Sequence, residues 1–139
     1  MVRAWARVGL PWGLGLRGSV TVDVSWADNL LVVEWGLQGG AGWRKHLPWK
    51  LSVEASLLLG VTQHLFEADR GSPDSGNRWD FLGTLALELR WHPASWAAIM
   101  VLVAPGLTEE SREHVLDGAV VWERSWFRLE TGLGLALTL

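Results

Sequence analysis

The chain has 139 residues, a formal net charge of −3, 49% hydrophobic residues and no cysteine. That length holds one domain over 1–139, the missing cysteine excludes disulfides and thiolate chemistry, and the acidic balance without a basic cluster excludes nucleic acid as an expected partner. No apolar run reaches the roughly 18 residues of a spanning helix, so a chain this oily must bury its apolar faces or show them to lipid.

A short first strand is expected over 2–10, stopped where Leu10, Pro11, Trp12 and Gly13 favour a turn. The strand over 14–26 alternates most clearly. Leu14, Leu16, Val20, Val22, Val24 and Trp26 hold its even positions, and Gly15, Arg17, Ser19, Thr21, Asp23 and Ser25 its odd ones. A side-chain period of two means a strand with one oily and one polar face. After a turn at 27–29, the strand over 30–43 sets Leu31, Val33, Trp35, Leu37, Ala41 and Trp43 against Glu34, Gly36, Gln38, Gly40 and Gly42. Residues 44–48 turn into a strand over 49–65, in which Trp49, Leu51, Val53, Leu57, Leu59 and Val61 oppose Lys50, Ser52, Glu54, Ser56, Gly60 and Thr62.

A polar loop rich in turn formers spans 67–78. The strand over 79–91 begins and ends its apolar face with Trp79 and Trp91, and carries Asp80, Thr84, Glu88 and Arg90 on the other face. Residues 92–95 connect it tightly to 96–104, which is apolar on both faces. A loop or single helical turn is expected over 105–112. A seventh strand is expected over 113–122, although it alternates poorly because Asp117 breaks its oily register. The last strand, 127–139, sets Phe127, Leu129, Leu133, Leu135 and Leu137 against Arg128, Glu130, Gly132, Gly134 and Thr138.

Strands this long exceed the five or six residues usual in soluble sheets and match a tilted bilayer crossing of about 9–11 residues with its interfaces. A soluble barrel turns the apolar face inward, and a transmembrane barrel turns it outward to lipid. Three features favour the second arrangement. Glycine crowds the polar face, where a narrow bore needs small residues. Tryptophans Trp26, Trp43, Trp49, Trp79 and Trp91 stand at strand ends in the apolar register, suited to a girdle at headgroup depth. The apolar register also supplies roughly forty large side chains, more than a small barrel can enclose.

These residues resemble the small eight-stranded outer-membrane β-barrel proteins of bacteria, and the resemblance covers nearly the whole chain. The strand over 127–139 looks like the terminal strand that the barrel-assembly machinery recognises in that family. The resemblance implies an all-β fold: a single up-and-down antiparallel transmembrane β-barrel of eight strands in a bacterial outer membrane. It also implies a lipid bilayer or detergent and the assembly machinery as partners, with no cofactor or metal. Three features depart from the family: the chain ends in Leu139 instead of an aromatic residue, tyrosine is absent, and the long turns fall on the side of the termini. A missing upstream strand, a designed sequence or a different strand count each accounts for the last. The start, Met1 to Trp5, lacks the apolar core of a signal peptide, as expected of a chain with its signal removed or of a designed one.

The candidate chemistry lies on the polar register. Glu34, Lys50, Glu54, Asp80, Glu88, Arg90, Arg128 and Glu130 form an expected interior network, because charges removed from water must be paired. The expected function is a membrane-embedded structural scaffold with a plugged polar lumen. Three rivals are a narrow ion-conducting pore, a lipid hydrolase and a soluble lipocalin-like barrel around an apolar ligand. His92 and Ser95 are the residues to test for hydrolysis, although catalysis also needs an orienting third group and an oxyanion site. His46, His64 and His114 are scattered, and the spacing of His64, Glu67 and Asp69 matches no strong metal motif.

Overall fold

A computed structural model describes residues 2–27, 30–68, 76–116 and 119–137. The chain is all-β: an antiparallel up-and-down sheet curled into a half-barrel. Its strands are β1 (Val2–Gly9), β2 (Leu14–Ala27), β3 (Leu30–Leu47), β4 (Leu51–Ala68), β5 (Gly76–Ala94), β6 (Ala97–Thr108), β7 (Arg112–Leu116), β8 (Ala119–Arg124) and β9 (Phe127–Leu137). A 3-10 turn, Pro11–Gly13, joins β1 to β2.

Seven of these strands make one sheet in the order β1-β2-β3-β4-β5-β6-β9, and β7 pairs with β8 alone. The expected eight strands are therefore corrected. The stretch 113–122 is not a strand of the sheet but most of a hairpin, in which Arg112 pairs with Arg124 and Leu116 with Ala119. The residue that broke its register, Asp117, falls between the two arms and lies outside the described residues. With the hairpin set aside, β6 pairs directly with β9, from Ala97 opposite Leu137 to Leu107 opposite Phe127. The strand count also bears on the loop asymmetry. With seven strands, β1 starts at the end that carries the hairpin, and β9 finishes at the end that carries the short turns.

The alternation turns the polar register inward. On β2, Gly15, Arg17 and Ser19 are buried, while Leu14, Leu16, Val20, Val22 and Val24 are 41–57% exposed. β3, β4 and β5 repeat this, with Glu34, Gln38, Glu54, Ser56, Asp80 and Glu88 buried between exposed apolar neighbours. The interior is not wholly polar. Leu58, Ala86, Met100, Leu102 and Ala104 form a buried cluster, and Trp5 of β1 packs against it from across the curl. That explains why 96–104 is apolar on both faces: Ala98, Met100, Leu102 and Ala104 point inward, and Ile99, Val101 and Val103 outward.

Two local features hold the long strands in register. At Gly40 and Gly60 an added Cβ would strike the backbone carbonyls of Leu57 and Leu37, so β3 and β4 approach closely only because both residues are glycine. β3 also runs four residues beyond its expected end, to Leu47, where Pro48 C=O accepts a 3.3 Å hydrogen bond from Leu51 N–H. The two residues between them, Trp49 (φ 59°) and Lys50 (φ 60°), are left-handed, which is a type I′ hairpin turn without its usual glycine.

Replacing Lys50 by glycine removes the Cβ strain at a solvent-facing turn. Lys50→Gly is expected to stabilise the fold by about 1 kcal/mol, read as a higher urea midpoint. Gly60→Ala is expected to destabilise it by about 1–3 kcal/mol in the same titration, because backbone and not a flexible side chain must give way.

Candidate functional site

The chemistry-bearing side chains lie inside the curl in two ionic clusters, one toward each end. Register alone creates a problem at the short-turn end. Glu54 and Glu88 stand directly opposite one another on β4 and β5, a destabilising pair of like charges. Arginines from four strands resolve it. Glu54 meets Arg44 at 2.7 Å, Arg7 at 3.2 Å and Arg90 at 3.5 Å. Glu88 accepts hydrogen bonds from Arg90, including one of 2.9 Å from Nε, and forms an ion pair with Arg17. Arg7 also donates to the carbonyls of Gly13 and Leu14 at 2.9 and 3.0 Å, which ties the cluster to the first turn. The guanidiniums of Arg17 and Arg90 lie 5.1 and 4.8 Å from the ring centre of Trp5, a double cation–π contact.

The other cluster gathers on Glu34, which meets His64 at 3.3 Å, Arg128 at 3.4 Å and Arg124 at 2.5 Å. Arg124 also pairs with Asp80. It is the last residue of β8, so the small hairpin sends one buried guanidinium back to clamp β3 to β5. Between the clusters, Gln38 donates to Thr84 Oγ1 at 2.8 Å, and Arg3 meets Glu130 at 2.7 Å. Together with Trp5 and the Met100 cluster, these contacts occupy the inside of the curl.

Of the residues expected in this network, Glu34, Glu54, Asp80, Glu88 and Arg90 are buried inside, and Arg128 and Glu130 are half-buried there. Lys50 is the exception: it sits in the left-handed turn, exposed, with Nζ 3.5 Å from Pro93 O. Sequence reading missed Arg3, Arg7, Arg17, Arg44, Arg124 and His64. Arg17 and His64 already lie on the inward register of their strands. Arg44 continues that of β3 past Trp43. Arg3 and Arg7 alternate with Val2, Ala4 and Val8. Nothing in the local pattern marks Arg124.

The outer face carries apolar side chains edged by tryptophan. Trp26 stands at the end of β2, Trp43, Trp79 and Trp91 lie three or four residues inside the ends of β3 and β5, and all four are 47–77% exposed. Trp49 is 86% exposed but belongs to the turn before β4, not to the strand. Trp35 adds to one edge, edge-on to Trp79 at 5.2 Å, and its ring N–H donates to Gln63 Oε1. Gln63 in turn donates to Asn77 at 2.7 Å, so this rim is amphipathic.

Among the described residues, no hydrogen bond joins a histidine to Ser95. His92 shares a 2.9 Å hydrogen bond with the fully buried Ser52, while Ser95 only lines a shallow surface pocket beside His92 and His46. His64 turns inward to Glu34. The Glu67 side chain and Asp69 fall outside what the structure describes, and no group of three metal-ligating side chains comes together among the described residues. Comparison with protein-family models, curated proteins and solved structures finds no match.

Removing one member of a buried ionic cluster strands its partners. Glu54→Ala is expected to cost about 3–5 kcal/mol in a urea titration, because three arginines lose their shared carboxylate. The exposed Glu113→Ala is expected to stay within about 0.5 kcal/mol of the parent.

Proposed function

We propose that this chain is an outer-membrane-type β-barrel protein acting as a membrane-embedded structural scaffold with a plugged polar interior. One observation carries the reading: the charged register is buried and the apolar register is exposed, the reverse of a water-soluble sheet. Contiguous exposed apolar surface beyond a few hundred Å2 marks an interaction with membrane or protein. Here it runs along β2 to β6 and β9, with lipid or detergent as its natural solvent.

Dimensions support the same reading. Trp79 and Trp91 bound the outward register of β5 twelve residue steps apart. At about 3.4 Å per residue and a tilt of about 40°, that places the two rims roughly 30 Å apart, close to the thickness of a hydrocarbon core. Phe81, Leu85, Leu87 and Leu89 fill the band between them. Tryptophan at both edges fits the aromatic belts of membrane interfaces. The packed interior favours a scaffold over a pore, because Trp5, Met100 and paired charges occupy the space that ions would cross. A lipocalin-like role requires the apolar register inside, where these strands carry arginine and glutamate.

The test is electrophoretic mobility, cold and boiled, after diluting urea-unfolded protein into detergent and separately into plain buffer. A heat-dependent shift with detergent alone is the expected result. A soluble folded species in plain buffer would overturn the membrane reading.

A further inference from the structure

The seven-stranded sheet ends in two rims, β1 and β9, each hydrogen-bonded on one side only among the described residues. Every step between them is antiparallel, and six such steps leave β1 and β9 pointing the same way. Pairing the rims with each other would therefore be parallel. One added strand running the opposite way would be antiparallel to both.

The space between the rims is a groove of about 490 Å3 whose lining includes Arg3, Trp5, Met100, Glu130 and Gly134. Across it, Arg3 meets Glu130 at 2.7 Å. Two strand spacings come to about 9.6 Å, a distance that one arginine and one glutamate side chain span with such a contact. Several rim side chains are barer than the mid-sheet leucines of β5. Leu133, Leu135 and Val2 are 83%, 78% and 74% exposed, against 44% and 43% for Leu85 and Leu87 in mid-sheet. A Cβ added at Gly132 meets nothing within 4 Å. Arg3, with its side chain only 7% exposed, keeps Nε and Nη1 without a hydrogen-bond partner.

We propose that this seam docks one extended strand of another polypeptide, running antiparallel to both β1 and β9. The strand carries large apolar residues outward, level with Leu133 and Leu135. Its inward residues are small, with an acidic side chain opposite Arg3 to take the free donors. Its backbone satisfies both open rims at once. A second copy of this chain cannot place one of its sheet strands in the seam, because among the described residues each is already bonded on at least one side and only a strand with two free edges can enter. The inference rests on the sheet topology and not on the membrane reading, although a hydrocarbon solvent makes uncovered rims costlier still.

The chain has no cysteine, so single cysteines report cleanly. The rim variants are Ala4→Cys and Leu133→Cys, the control is Leu87→Cys, and all three sites are exposed. The probe is a synthetic peptide of about eleven residues that alternates valine and serine, with one inward aspartate and a central cysteine. Linkage by a short bismaleimide in detergent is expected to reach both rim variants at least about tenfold above Leu87→Cys, a preference of about 1.4 kcal/mol. Scrambling the alternation is expected to abolish the preference, and lysine in place of aspartate to reduce it. Three results would overturn the proposal: rim labelling equal to the control, a disulfide forming between the two rims in an Ala4→Cys/Leu133→Cys double variant, or two copies linking through their rims. The cold and boiled mobility assay is read separately, so failure of the membrane reading and failure of the docking site are distinguishable.

Discussion

Everything in this fold follows from the need to pair charges that have been taken out of water. An isolated ion buried in a protein interior is so costly that the chain cannot place one there without a partner. Glutamates and an aspartate from β3, β4 and β5 are buried with Arg17, Arg90 and Arg124, and half-buried arginines of β1 and β3 reach in beside them. Their pairing fixes the curl. Arg7 reaches Glu54 at 3.2 Å because β1 comes round, and Arg124 reaches Glu34 because the hairpin folds back, each adding to partners that the neighbouring strands already supply. The ionic clusters therefore act as long-range staples in a sheet whose hydrogen-bonded neighbours are nearly all sequence neighbours.

The apolar side chains play the complementary role. Inside, one compact cluster on β4 to β6 receives the Trp5 ring, which two guanidiniums cover. That ring joins the oily and charged parts of the interior, because its face attracts cations while its edge packs against methylenes. Outside, the apolar register faces away from the protein altogether. A soluble sheet would lose its driving force in this arrangement, since burial of that register is what folds it. The same arrangement is natural where the surrounding solvent is itself apolar and only the backbone and the polar interior need internal partners.

Much of this was legible in the chain. Period-two alternation over 14–26, 30–43 and 79–91 marks strands and assigns each side chain to a face, because successive Cβ atoms point to opposite sides. Glu34, Glu54, Asp80, Glu88 and Arg90 could be placed in one interior on that ground alone. Parity misplaces a side chain where its face depends on an element boundary. Lys50 has the correct parity for the interior but precedes the strand, in a turn whose left-handed backbone removes it from the register. The stretch 113–122 was misread as a crossing strand because a hairpin with a central break resembles a poorly alternating strand.

By itself the sequence determined the fold class, the long strands and the segregation of polar from apolar side chains, since these follow from local periodicity and turn chemistry. Only the tertiary structure decided how many strands share the sheet, which arginine meets which carboxylate, and that β1 and β9 are not paired with each other among the described residues. The physical reason is range. Strand identity depends on residues two apart, whereas an ion pair such as Arg124 with Glu34 joins positions far apart in the chain whose meeting depends on the curvature of every strand between them.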